Sequence, residues 1–198
     1  MSAQGEIRKI GPADRDAVSA MLARAFLDDP VMMFMIPDEK ARAAKLPRIF
    51  RLLLKLALPH GLCDVSEGIE SATIWKPPGQ WHLSLWDYIA NGPELLGIFG
   101  ANAFTVMATM DRIEKVHPKK DHFYLQVLGT DPPKQGKGFA SRVMRRQLAS
   151  ADAAGLPCYL ESSKESNIPV YRSFGFELRD EIGIPDGPTL WPMWRDAR

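Results

Sequence analysis

Cysteine is scarce in this chain, with only Cys63 and Cys158 among 198 residues. The two stand far apart, and neither belongs to a Cys-x-x-Cys pair or to a Cys/His spacing typical of zinc sites. We therefore expect no disulfide scaffold and no metal site, and we predict that both thiols lie at least partly buried in the protein.

An excess of charge of one sign is also missing, since 25 Lys and Arg residues face 24 Asp and Glu residues. A chain-wide basic surface is thereby excluded, so no nucleic acid partner is expected. The longest apolar stretch, residues 88–110, contains too many helix breakers for a membrane span. Residues 1–8 lack the apolar core of a signal peptide, and by default we expect a cytoplasmic protein without a membrane partner.

The length predicts one domain over residues 1–198. Hydrophobic periodicity predicts two helices, two short strands and then further helical segments in the first half. Pro47 lies inside the second helix and should begin, kink or split it. The predicted ranges are 13–28 and about 39–58 for the helices, 62–65 and 72–75 for the strands, and 81–110 for two or three helical segments.

The second half alternates more regularly between strand and helix patterns. Such alternation predicts an α/β fold with one mixed sheet and helices on its faces, and a parallel crossover between the first two strands. The last strand is either an edge strand or an interface strand, and the second case would give a homodimer. The predicted ranges are strands at 122–129, 158–161, 176–182 and 189–194, and helices at 138–154 and 168–174.

A glycine turn, Gln135-Gly136-Lys137-Gly138-Phe139-Ala140, lies between a predicted strand and a predicted helix. Glycines let a ligand approach the backbone, and the free N–H groups at a helix start favour phosphate. A Walker loop is excluded because Gly138 follows Lys137 where Ser or Thr is required. A dinucleotide fingerprint is excluded because Ser141 occupies the position of its third glycine.

This turn resembles the pyrophosphate signature Gln-x-x-Gly-x-Ala of the GNAT superfamily, the acyl-CoA-dependent N-acyltransferases. Further along, Leu160-Glu161-Ser162, Asn167, Tyr171 and Gly175-Phe176 are similar to the segment that closes the cofactor site in that family. Phe26 and Asp29-Pro30 resemble its opening segment. Residues 122–198 are most similar to the puromycin N-acetyltransferase-like group.

The resemblance implies a GNAT fold, a single mixed central sheet flanked by helices on both faces. Residues 1–120 would form the substrate-side half and residues 121–198 the acetyl-CoA-binding half. It implies transfer of an acetyl group from acetyl-CoA, used as co-substrate, to a primary amine of a small molecule by direct attack in a ternary complex. The alternative is a non-catalytic acyl-CoA-binding sensor or interaction module with the same fold.

The resemblance also implies residues that bind the cofactor. Backbone N–H groups of the turn would hold the pyrophosphate, with positive charge added by Lys134, Lys137 and Arg142. The edge of the preceding strand would bind the pantetheine arm, and an N–H near Leu128 would stabilise the oxyanion, unless these groups only pair within the sheet. The residues are Gln135, Gly136, Lys137, Gly138, Phe139, Ala140 and Ser141 in the turn, and Leu128, Gly129 and Thr130 in the strand.

The catalytic candidates implied by the resemblance are Tyr171 and Glu161. Tyr171 would bind at the cofactor and protonate the leaving thiolate, or else pack on the sheet. Glu161 would accept the ammonium proton directly or through water, or else be a structural carboxylate. Asn167 would bind the cofactor arm, cap the following helix, or do both.

Three histidines, His82, His117 and His122, are alternative bases or else ordinary solvated or core residues, and nothing in their spacing favours one of them as a base. A set of large apolar side chains would line either an acceptor pocket or the ordinary core. This set consists of Met32, Met33, Phe34, Met35, Trp75, Trp81 and Trp86.

Overall fold

The computed structural model describes residues 6–82 and 85–198, and it contains one mixed eight-stranded sheet. The strands run in space in the order β1-β2-β3-β4-β5-β8-β6, with β7 also paired to β8. All pairs are antiparallel except β4 with β5. The bounds are β1 Ile7–Lys9, β2 Cys63–Ser66, β3 Ser71–Lys76, β4 Phe123–Thr130, β5 Cys158–Ser162, β6 Glu177–Leu178, β7 Ile182–Gly183 and β8 Thr189–Arg195.

Helices cover both faces of the sheet, which confirms the predicted fold class. On one face, α1 and α3 enclose a core with β2 and β3, and on the other face α6 and α7 pack with β5. The clusters consist of buried apolar side chains, so their burial is the main force that holds the layers together. The helices are α1 Arg15–Ala25, α2 Pro30–Met35, α3 Glu39–Ala57, α4 Leu85–Phe99, α5 Ala103–Val116, α6 Phe139–Ala153 and α7 Ile168–Ser173.

A bulge in β4 reverses which face its side chains occupy. Ile74 pairs with Val127 and Trp75 with Leu125, so Gln126 is the extra residue. Before the bulge, Leu125 packs in the core of α6, whereas after it Val127 packs in the core of α1 and α3.

The parallel strands β4 and β5 separate shortly after they begin. They pair only at Phe123 with Cys158 and at Tyr124 with Tyr159. Beyond this point β4 continues to Thr130 and β5 to Ser162 without pairing to each other. The carboxyl ends of the two strands therefore form a fork whose inner backbone groups are available to a ligand.

Several predicted boundaries need correction. Helix α3 is continuous through Pro47, which neither begins nor divides it. The predicted strand 176–182 consists of two short strands, since the N–H of Glu181 bonds to the Asp180 carboxylate in the turn between them. The edge strand β1 was not predicted, because three residues are too few to show a period.

The prediction for the last strand was wrong. Strand β8 is neither an edge nor an exposed interface strand, because it is paired to β5 on one side and to β6 and β7 on the other. Its ladder groups are thus used within the chain, and a dimer through this strand is not available. The helical segments predicted from residue 81 onward correspond to α4 and α5, although residues 83–84 lie outside the described part.

Candidate active site

The glycine turn adopts the conformation that its glycines permit. Gly136 and Gly138 have φ angles of +72° and +77°, and a Cβ at either would meet open space. Helix α6 begins at once, with the N–H of Arg142 bonded to the Gly138 carbonyl at 3.3 Å. The N–H groups of residues 139–141 precede that first bond and have no intrahelical acceptor, so they suit a phosphate.

Polar side chains of the turn support its shape. The Gln135 amide donates to the Thr130 carbonyl at 3.3 Å, and the Lys137 ammonium donates to the Pro133 carbonyl at 3.0 Å. The Arg142 guanidinium lies 4.4 Å from the centre of the Phe139 ring. The resulting surface combines free N–H groups with positive charge, and the observed residues therefore fit a pyrophosphate.

The strand residues predicted to bind the cofactor arm lie on β4 beside the fork. Gly129 pairs with Ala72 of β3, and its carbonyl accepts the Ser71 hydroxyl at 2.9 Å. A Cβ at Gly129 would lie 2.5 Å from Leu22 of α1, so glycine is required there by helix packing. The hydroxyls of Thr130 and Ser71 lie 2.9 Å apart. Leu128 is half-buried against the α6 core.

Tyr171 is buried on α7, and its ring makes an edge contact with Phe176. Burial raises the pKa of the Tyr171 hydroxyl to about 12, and the charge of Asp29 adds to the effect. Asp29 in turn caps α2 through the N–H groups of Val31 and Met32 and accepts the Ser163 hydroxyl. Tyr171 thus remains a protonated donor throughout the neutral range.

Asn167 precedes α7, but its side chain makes no capping hydrogen bond to that helix. The capping role considered for it is therefore not observed. Its amide is free, among the described residues, to bind a ligand.

Glu161 lies on β5, on the face opposite to the α6 core, and contacts a histidine chain that spacing did not reveal. Its Oε1 atom is 3.2 Å from Nδ1 of His117, and Nε2 of His117 is 3.0 Å from Nε2 of His122. The chain ends where Nδ1 of His122 meets the Lys120 carbonyl at 2.6 Å. The side chains of His117 and Glu161 are only 2% and 5% exposed.

Aromatic rings surround this chain. Trp81 stacks on His117 with centroids 3.9 Å apart, and Tyr124 and Tyr159 approach the same ring by their edges. Burial and the charge of Glu161 raise the pKa of both tyrosines, so their hydroxyls stay protonated. Both hydroxyls lie close enough to the Glu161 carboxylate to interact with it.

Burial lowers the pKa of His122, and the nearby His117 lowers it further, while the hydrogen bond to Lys120 opposes both. Of the three histidines considered as bases, His82 alone is exposed, and it lies beside Trp81. The structure thus brings His117 and His122 to Glu161, whereas His82 is not part of this hydrogen-bonded chain.

The apolar residues proposed for an acceptor pocket do not share one site. Met35 and Trp75 are buried in the two different cores, and Trp86 is 77% exposed on α4. Only Met33 and Phe34 line a groove, about 760 Å³ in volume, between α2, α5 and the β7–β8 turn. Trp81 instead covers His117.

Both cysteines are buried, as predicted, and unpaired. Burial raises the pKa of Cys63 to about 11 and that of Cys158 to about 12, so neither is an activated thiolate. Within residues 6–82 and 85–198 no group of three His, Cys, Asp or Glu side chains is arranged to hold a metal ion. Of the described helices, none is long and apolar enough to cross a membrane.

Residues 63–176, more than half of the chain, match the model of the Acetyltransferase (GNAT) family. The chain therefore belongs to this family, and the matched segment contains the glycine turn, the fork and Glu161. A relative in Schizosaccharomyces pombe, an uncharacterized N-acetyltransferase, is 26% identical over 188 residues, which are 88% of this chain and 75% of the relative.

Solved structures show the same fold. A Corynebacterium glutamicum protein, described as histone acetyltransferase HPA2 and related acetyltransferase, has a TM-score of 0.76 at 24% identity over 98% of this chain and 97% of its own. Arylalkylamine N-acetyltransferase 2 of Aedes aegypti gives 0.69 at 15% identity, over 98% and 99%. The polyamine N-acetyltransferase of Drosophila melanogaster gives 0.63 at 13% identity, over 96% and 99%.

Proposed function

We propose that this protein transfers the acetyl group of acetyl-CoA to a primary amine of a small molecule. The observation that carries the proposal is the fork of β4 and β5, which lies between the glycine turn and the buried Glu161 cluster. A cofactor held at the turn by its pyrophosphate would extend its arm along the inner edge of β4. Its thioester would then lie near Glu161 and Tyr171, the residues proposed to accept and to donate protons.

In this proposal the acceptor ammonium loses a proton toward Glu161, and the free amine attacks the thioester carbonyl. A C–N bond forms, an oxyanion develops, and the C–S bond breaks as the sulfur takes a proton from Tyr171. The second proton that the nitrogen loses in becoming an amide passes to the Tyr171 phenolate and restores the hydroxyl. A backbone N–H near Leu128 stabilises the oxyanion, since β4 has already separated from β5 at this point and its inner edge is open to the thioester. No enzyme nucleophile is needed, in keeping with the buried thiols of Cys63 and Cys158.

The choice of a small amine rests on two observations. The fold neighbours include enzymes named for arylalkylamines and polyamines. The near-zero net charge gives no general field for a polyanionic carrier such as nucleic acid. We extend the proposal to aminoacyl-like amines on the ground of the motif resemblance of residues 122–198 to the puromycin N-acetyltransferase-like group.

Calorimetric titration with acetyl-CoA, with desulfo-CoA and ATP as comparisons, tests the cofactor site. We expect binding of both CoA compounds and none of ATP. A free-thiol assay with a panel of arylalkylamines, polyamines and aminoacyl amines then tests turnover. Amine-dependent release of CoA supports the enzyme, whereas binding without release by any amine supports the sensor module, and absence of acetyl-CoA binding contradicts both.

A further inference from the structure

The chain of Glu161, His117 and His122 contains three successive contacts, each within hydrogen-bond distance. Each contact needs one hydrogen between its two heavy atoms. The Lys120 carbonyl can only accept, so the hydrogen of the last contact lies on Nδ1 of His122. The other two lie between the two imidazoles and between His117 and Glu161.

Two neutral imidazoles and one carboxylate supply only two hydrogens for these three bonds. The fully bonded chain therefore holds one proton more than its components have when His117 and His122 are neutral and Glu161 is ionised. With that proton its net charge is zero, which lowers the cost of keeping it buried. No metal ion fits between the imidazoles, because their Nε2 atoms are already 3.0 Å apart.

The surrounding groups favour the Glu161 end of the hydrogen-bonded chain as the position of the extra proton. The groups that face it are Asp121 on its own loop, the tyrosine hydroxyls of β4 and β5, the rings of Trp81 and Trp194, and Lys120, whose ammonium lies 5.7 Å from the Trp194 ring. Burial disfavours a charge on His122, so the proton lies between His117 and Glu161. His122 then fixes the tautomer of His117 by accepting its Nε2 hydrogen.

We propose that Glu161 and His117 act as a single proton-accepting unit, positioned by His122, that holds one extra proton at rest and works as a base only after losing it. The proposal rests on the acetyl transfer proposed above. In the active form the unit takes the ammonium proton of the acceptor, the amine attacks, and the unit later gives this proton to water. Over one cycle the ammonium and acetyl-CoA become amide, free CoA and one released proton, so the step balances.

Nitrogen chemical shifts of the four histidines in the ¹⁵N-labelled protein test the proton count without any turnover. Near neutral pH we expect His117 to show two protonated nitrogens and His122 to show the neutral form protonated at Nδ1. The variants H117Q and H122Q assign the signals. H60Q serves as control, because His60 is not part of the hydrogen-bonded chain. A neutral His117 near and below neutral pH would overturn the proposal.

Kinetics test the base function. The ascending limb of the profile of kcat/KM against pH should coincide with the loss of the His117 imidazolium signal, because a coupled pair titrates as one unit. We expect H117Q to lower kcat/KM by about 100-fold, as removal of a general base does, with affinity for acetyl-CoA retained. An unchanged profile in H117Q would show that Glu161 acts alone.

His122 provides the positioning test. In H122Q the side-chain carbonyl can accept from His117 and the amide can donate to Lys120, so turnover should stay within about three-fold of the parent protein, whereas H122L should lose at least about ten-fold. Equal loss in both variants would contradict the positioning role. Intact histidine signals without acetylation of any amine would refute the enzyme but not the proton count, so the two failures are distinguishable.

Discussion

Trp81 lies flat on the imidazole of His117, with ring centroids 3.9 Å apart and planes 21° apart. His117 is linked through its two nitrogens to Glu161 and His122, so the indole covers the middle of the buried chain. Trp81 reaches this place from the segment after β3, whereas His117 follows α5. The contact therefore ties a loop to the candidate active site.

Removal of this ring should cost stability. We expect Trp81→Ala to lower the free energy of unfolding by about 1 kcal/mol more than the loss of the buried area of the ring alone would. This is the typical contribution of an aromatic pair beyond its buried area. Trp86→Ala is the matched control, since Trp86 is 77% exposed, and it should change stability by no more than about 0.5 kcal/mol. Urea unfolding measures both, and equal losses would show that the stacking contributes nothing of its own.

Gly129 is needed where α1 crosses β4. A methyl group there would meet Leu22 at 2.5 Å and Phe26 at 3.1 Å, so Gly129→Ala should destabilise the protein by about 1–3 kcal/mol through overpacking. Gly92→Ala is the control, because Gly92 lies inside α4 and faces open space, and it should stabilise by up to about 1 kcal/mol. If thermal unfolding shows the same sign for both variants, the packing argument fails.

The sequence predicted residues 122–162 well because the signals there are local. The glycine turn, the following helix and the strand that carries Glu161 each depend on neighbouring residues, and all three are found within one or two residues of their predicted bounds. A glycine turn, a helical period over fifteen residues and a short apolar strand run are each visible within one stretch of sequence.

The histidine chain could not be predicted in the same way. His117 and Glu161 are 44 residues apart, and they meet only because α5 ends above the face of β5 that bears Glu161. Trp81 is a further 36 positions before His117. Such contacts depend on how helices of the first half pack on the sheet, and no short motif records that packing. The same holds for the acceptor pocket, whose proposed residues the fold distributes over the two cores, a groove and the surface.

Tyr171 should affect turnover more than binding. In Tyr171→Phe the leaving sulfur loses its proton donor, so kcat should fall by about 10–100-fold while the affinity for acetyl-CoA stays within about two-fold. Since the pKa of Tyr171 is about 12, its ionisation should cause no loss of kcat/KM in the parent protein across the neutral range. Steady-state kinetics beside calorimetry measures both quantities, and an unchanged kcat would remove Tyr171 from the mechanism.

Low pH should remove the contribution to stability of the ion pair of Asp152 and Arg195, which share two hydrogen bonds of 2.7 and 2.8 Å. The Arg195 hydrogen bond lowers the pKa of Asp152. The pKa of Asp152 is therefore lower in the folded protein than in the unfolded chain, where it is about 4. Ionised Asp152 stabilises the folded protein at pH values above about 4, and this stabilisation disappears as the pH falls through the folded pKa. The stability difference between the parent protein and Asp152→Asn should therefore shrink from neutral pH to about pH 3.

Unfolding by urea at the two pH values measures this change. Asp111→Asn is the control, because its pair with Lys115 is exposed on α5 and should contribute little at either pH. A difference that grows in acid would contradict the assignment of Asp152.

Substitutions at the two ends of α6 distinguish an effect of backbone strain from an effect on phosphate binding. Gly138 precedes the helix with φ +77°, and Gly155 follows it with φ +66°. Alanine at either position should cost about 1–2 kcal/mol, because an L residue is strained in the left-handed region. Only Gly138→Ala should also weaken acetyl-CoA binding, by at least about ten-fold, because it shifts the free N–H groups of residues 139–141. Calorimetry at a temperature where both variants are folded decides the matter, since equal affinities would mean that the start of α6 does not hold the pyrophosphate.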